Sequence, residues 1–112
     1  LKDSSIKFWS LWKNDLLTGC GALKFLNNEH GEFKSIRVHD TFRKKGYGIE
    51  IINHLILEAK KLKVKQLSIE TGAGIFFIPA RKLFKNCGFE PCEPFAHYKK
   101  DINSIYLTKF IS

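Results

Sequence analysis

Methionine is absent from all 112 residues, so the chain opens at Leu1 without an initiator and reads as a processed chain or a fragment. Cysteine is scarce and odd in number. Cys20, Cys87 and Cys92 lack the spacing of a disulfide framework and read as free thiols of a reducing cytoplasm. Cys87, Cys92 and His97 follow at intervals of five with no Cys-x-x-Cys, which argues against a metal site. No apolar run reaches the ~18 residues of a membrane span; the longest, residues 74–80, is loop-like. Lys2, Asp3 and Lys7 occupy the region where a secretory signal keeps an apolar stretch, so a cytoplasmic protein with no membrane partner is expected. With no repeat, low-complexity tract or linker, residues 1–112 are expected to form one domain.

Acidic residues are also few, 11 against 19 Lys and Arg, and the resulting charge of +8 points to an anionic partner: nucleic acid, a membrane surface or a phosphorylated small molecule. Hydrophobic residues make up 44%, enough to bury a core.

Alternation predicts strands near residues 5–12, 16–26 and 32–38, separated by the polar breaks at Lys13-Asn14-Asp15 and Asn27-Asn28-Glu29-His30-Gly31. The period then lengthens. Ile49, Ile52, Leu55, Ile56, Ala59 and Leu62 recur at three and four, predicting a helix over 48–62. A strand over 66–71, a loop at Gly72-Ala73-Gly74, a helix over 79–87 stopped by Gly88, and strands over 89–92 and 105–111 complete the order β, β, β, α, β, α, β, β. The fold class is α+β: an antiparallel meander followed by a strand-helix-strand crossover in a mixed sheet.

The stretch most informative about chemistry runs from Ser35 to Gly48, where a strand hands over to a helix through Arg43-Lys44-Lys45-Gly46-Tyr47-Gly48. Unpaired backbone N–H groups and the helix dipole make such a junction an anion site, basic side chains add charge, and Gly46 and Gly48 let a phosphate approach the backbone. A tight turn with solvated lysines is the competing reading. The spacing is neither the Walker pattern nor the dinucleotide Gly-x-Gly-x-x-Gly.

Arg43-x-x-Gly46-x-Gly48 at this junction resembles the acetyl-CoA signature of the GNAT superfamily of N-acetyltransferases. Leu67-Ser68-Ile69-Glu70-Thr71-Gly72, then Pro79-Ala80-Arg81-Lys82-Leu83-Phe84-Lys85-Asn86-Cys87-Gly88-Phe89, resembles the later strand, helix and Gly-Phe ending of the same family. The likeness extends over residues 5–111 and is nearest to small bacterial acetyltransferases. It implies a twisted mixed sheet, acetyl-CoA as cosubstrate, no metal, and a small-molecule amine or amino acid as acceptor. Two departures stand out: the family's opening strand and two helices are missing before the meander, and Phe84 stands where many members carry a proton-donating Tyr. A homodimer, in which a second subunit supplies the missing layer, stays open.

The resemblance implies that CoA phosphates bind at Arg43, Lys44, Lys45, Gly46, Tyr47 and Gly48, and that its pantetheine arm pairs with backbone near Ile36 and Val38. Arg81 is a further candidate for the phosphates, with a solvated helix face as the alternative. A lysine-like amine is almost wholly protonated at pH 7, a cost of roughly 4.6 kcal/mol, so transfer calls for a base. Glu32, eleven residues before Arg43, has the spacing of the base in histone-acetylating members; Glu70 is the second candidate. Tyr98 and His97 are candidate substitutes for the missing tyrosine acid. Two other functions remain: a CoA-binding remnant without turnover, and a basic nucleic-acid-binding module using Trp9, Trp12, Phe76 and Phe77, the latter disfavoured because these aromatics sit mostly at core-like strand positions.

Overall fold

In the computed structural model, residues 6–39 and 46–111 are described. Strands β1 (Ile6–Lys13), β2 (Leu16–Phe25) and β3 (His30–Val38) form the expected meander, followed by helix α1 (Tyr47–Lys61) and strand β4 (Gln66–Gly72). A 3-10 turn (Ile75–Phe77) leads into helix α2 (Ile78–Asn86), then the short β5 (Glu90–Pro91) and β6 (Ser104–Phe110). The sheet order is β1-β2-β3-β4-β6-β5, and β3 with β4 is the parallel pair.

Asn14 adopts a left-handed φ of 57° in the two-residue connection that sets Lys13 opposite Leu16, a conformation Asn tolerates better than most residues. At the next turn the Asn27 side chain accepts from the backbone N–H groups of Glu29 and His30. Alternation along the strands then sends Leu23, Phe33, Leu67 and Leu107 to one face, where they pack with Ile52, Leu55 and Ala59 of α1 and Phe84 of α2. Gly48 and Ile51 are buried whereas Ile49 is 39% exposed, so the helix presents its apolar stripe slightly rotated from the expected one.

The opposite face carries no helix among the described residues. Trp9 packs against the core as expected, but Phe8 and Trp12, one residue out of phase with it, are 67% and 61% exposed. Phe76 is likewise exposed, in the 3-10 turn where the pattern predicts a plain loop. Phe77 from that turn seats its ring against Gly72, on the side where a Cβ would project. Strand β5 is shorter than predicted, since Pro91 has no N–H to extend a ladder.

One irregularity positions everything that follows. Cys20 pairs with Arg37 while Ala22 pairs with Lys34, so β3 carries an extra residue against β2, and Ser35 absorbs it at φ 55°. Such a bulge bends its strand. The β3–β4 ladder covers His30–Gln66, Gly31–Leu67 and Glu32–Ser68 and stops there, so beyond Glu32 the two strands part and the sheet forks.

Candidate active site

The fork opens a cleft of about 640 Å³. Glu32, Lys34, Ser35, Ile36 and Arg37 line it from β3, Ile69, Glu70 and Thr71 from β4, Phe77, Ala80 and Phe84 from the helix side, and Tyr98 and Asn103 from the segment before β6. Residues from both sides of the sheet therefore face one space.

Glu32 sits at the apex, just 3% exposed. The Tyr98 hydroxyl donates to its Oε2 at 2.7 Å, and the Lys34 ammonium lies 3.6 Å from the same oxygen and 3.4 Å from the Tyr98 oxygen. A buried carboxylate with a cation and a hydroxyl donor beside it has its charge compensated and its lone pairs partly used. Burial, reinforced by the bond to Glu32, raises the Tyr98 pKa above the ordinary tyrosine range against the opposing pull of Lys34. Tyr98 is thus a proton donor throughout the neutral range. Burial alone lowers the Lys34 pKa, yet the Tyr98 oxygen and the Glu32 carboxylate outweigh it, and the net shift is upward.

The Tyr98 ring is fixed by neighbours: Phe95 edge-on at 5.3 Å, Tyr106 at 5.6 Å and His97 stacked at 5.6 Å. Beneath Glu32, His30 Nε2 meets Ser68 Oγ at 2.7 Å, and Ser68 meets Thr108 Oγ1 at 2.8 Å. Burial lowers the His30 pKa, with Glu32 opposing, so the imidazole favours its neutral form.

Of the residues expected from sequence, the structure brings Glu32 and Tyr98 into direct contact and places Glu70 on the facing lip, where its Oε2 accepts from Ser104 Oγ at 2.6 Å. Ile36 lines the cleft, and Val38 follows it on the forked part of β3; both side chains pack against the core. Arg43, Lys44 and Lys45 lie outside the described residues. Gly46 caps α1 at φ 81°, and among the described residues nothing lies within 4 Å of the position a Cβ would take. Gly48 also has a packing role. Its missing Cβ faces Leu83 of α2 at 3.0 Å, so this glycine lets two helices approach. Tyr47 lies under the Lys13 ammonium, 4.2 Å from the ring centroid, tying the start of α1 to β1.

Arg81 is occupied differently as well: its Nη1 donates to the carbonyls of Gly72 at 2.6 Å and Gly74 at 3.1 Å, clamping the turn beside the cleft. Phe84 is buried, edge-on to Phe89 at 5.4 Å, with part of its surface lining the cleft. Lys34 escaped the sequence reading, although its position two residues after Glu32 on an alternating strand puts it on the same face. Burial pushes the Cys87 and Cys92 thiols up, away from thiolate chemistry.

A family model described as an acetyltransferase (GNAT) domain matches residues 4–91. The N-acetyltransferase YsnE of Bacillus subtilis, itself uncharacterized, is 48% identical over 109 residues, which cover 97% of this chain and 72% of that protein. The uncharacterized N-acetyltransferase YedL of Escherichia coli is 37% identical over 108 residues, 96% of this chain and 68% of its own. Among solved structures, a GNAT family acetyltransferase from Elizabethkingia anophelis with acetyl-CoA bound superposes with a TM-score of 0.79 at 25% identity, covering 96% of this chain and 78% of the other.

Proposed function

Because this chain belongs to the GNAT family of acetyltransferases, we propose that it moves the acetyl group of acetyl-CoA onto a primary amine by direct attack, with Glu32 as general base and Tyr98 as general acid. The observation that carries this reading is the 2.7 Å hydrogen bond from Tyr98 to the buried Glu32 carboxylate at the apex of the fork. The cleft suits an extended amide-bearing arm: beyond Glu32 the β3–β4 ladder stops, so main-chain groups on both lips face a gap that a strand-like ligand can enter. Ile36 would offer that backbone, and the segment ending at Gly46, with Tyr47 and Gly48 opening α1, would receive the phosphates.

Acetyl-CoA, when bound, supplies the thioester carbonyl and the departing thiolate. The protein's share is proton traffic. Glu32, directly or through one water, takes a proton from the incoming ammonium, and Tyr98 gives its proton to the sulfur as the C–S bond breaks. The hydrogen bond between the two then returns a proton from Glu32 to the Tyr98 oxygen. Of the two protons lost by the ammonium, one ends on the thiol and the other in solvent, so the pair is restored after each turnover. The Lys34 ammonium beside both oxygens steadies the arrangement while charge shifts between them.

The test is amine-dependent release of CoA thiol from acetyl-CoA, with the acetylated amine detected by mass. One thiol per acetylated amine is expected. Acetyl-CoA binding with no thiol release across a broad amine panel would assign the chain to the non-catalytic alternative.

A further inference from the structure

The two lips of the cleft are oppositely charged. On β3 the outward face carries Lys34 and, one step past the bulge, Arg37; Cys20, the residue paired with Arg37, lies on the same helix-free face. Lys34 is committed to Glu32 and Tyr98, whereas the Arg37 guanidinium has no side-chain partner among the described residues. Across the gap on β4, Glu70 projects from the same face as Ser68, held by one hydroxyl and still partly exposed. Asn103 adds an amide to that rim.

An acceptor reaching Glu32 from this side meets Lys34, whose charge Glu32 already balances, and Arg37, whose charge no described side chain balances. A plain alkylamine leaves Arg37 without a counterion there; an amine that also bears a carboxylate supplies one. Resting on the acetyltransferase reading, we infer that the acceptor is an amino acid or a similar amine with a carboxylate nearby. Arg37 takes the carboxylate, and Glu70, with Glu32 deeper in, receives the ammonium. The planar fork of Arg37 matches both carboxylate oxygens, and a zwitterion satisfies both lips at once. The acceptor enters from the helix-free face, while Phe77, Ala80 and Phe84 wall the side towards α2.

Calorimetry on the full chain, with and without CoA, tests this using N-acetyl-L-alanine, N-acetyl-L-leucine and N-acetyl-L-glutamate, each beside its carboxamide. At least one acid is expected to bind about tenfold or more tightly than its amide, a free-energy difference of about 1.4 kcal/mol. Arg37→Gln should bring the ratio close to one and Arg37→Lys should keep part of it; Arg37 is exposed, so both variants should fold. Glu70→Gln should weaken binding of the free amino acids but not of their N-acetyl products, which have no ammonium. Equal affinities for acid and amide, no binding of either, or a preference that survives Arg37→Gln overturns the inference. Acetyl transfer, assayed separately, keeps the two readings apart. Acid-selective binding without transfer removes the enzyme and leaves the site. Equal transfer to amino acids and their decarboxylated amines, with no acid preference in binding, removes the site and leaves the enzyme.

Discussion

Replacing Glu32 with Gln keeps the shape of the side chain and an acceptor for the Tyr98 hydroxyl but removes the charge and the basic lone pair. The structural cost is small. A hydrogen bond to a carboxylate becomes one to an amide, a loss of about 1 kcal/mol, and the Lys34 ammonium, 41% exposed, turns to water for at most about another 1 kcal/mol. For 112 residues, about 1 kcal/mol corresponds to about 4 °C, so the melting temperature should fall by about 4–8 °C and the protein should stay folded at 25 °C. Turnover responds far more. Without the base, the rate near pH 7 should fall about a hundredfold or more, while the affinity for acetyl-CoA is unchanged. The mutant should recover as pH rises towards the amine's own pKa, because solvent then removes the proton. A thiol-release assay from pH 6.5 to 10 on parent and variant, with calorimetry for acetyl-CoA, reads all three quantities. A variant as active as the parent near pH 7, or impaired equally at every pH, rules Glu32 out as the base and makes Glu70 the residue to test.

Tyr98→Phe should slow turnover by at least about tenfold with little change in acetyl-CoA affinity, and Phe84→Tyr should keep or raise it; a silent Tyr98→Phe reduces that residue to one member of an aromatic cluster. Gly48→Val pushes a side chain into Leu83 and should destabilise the fold by about 1–3 kcal/mol. Gly46→Ala meets no neighbour among the described residues but must hold φ 81°, costing about 1–2 kcal/mol, and thermal unfolding separates both effects from loss of CoA binding. His30 has its pKa lowered by burial, so below the usual 6.5 the unfolded chain binds the extra proton first and stability falls as pH drops towards the folded value. His30→Gln should flatten that fall between pH 7.5 and 5 in melting experiments, and an unchanged slope contradicts the assignment.

Local periodicity made the meander and both helices legible, because alternation and the three-to-four spacing are properties of short segments. The fork was not, since it depends on Ser35 accepting a left-handed φ and on where β3 stops pairing with a strand 36 residues away. Glu32 and Tyr98 each entered as a candidate, Glu32 through the family resemblance, but their contact joins residues 66 apart and no local pattern carries it. Gly48 shows the limit from the other side. Its contact with Leu83 depends on where the second helix packs, which no local pattern carries. Arg81 was read by its charge, yet its guanidinium holds two loop carbonyls, a role set by the path of the 72–74 turn.

A crystal structure of the chain with CoA and an N-acetylated amine would show whether both reactants meet at the Glu32–Tyr98 pair inside the forked sheet. The CoA arm is expected between β3 and β4, with its sulfur within about 4 Å of the Tyr98 hydroxyl and the acetamide nitrogen within hydrogen-bonding reach of Glu32, directly or through one water. CoA bound outside the fork, or a sulfur far from Tyr98 with Glu32 facing neither ligand, contradicts it.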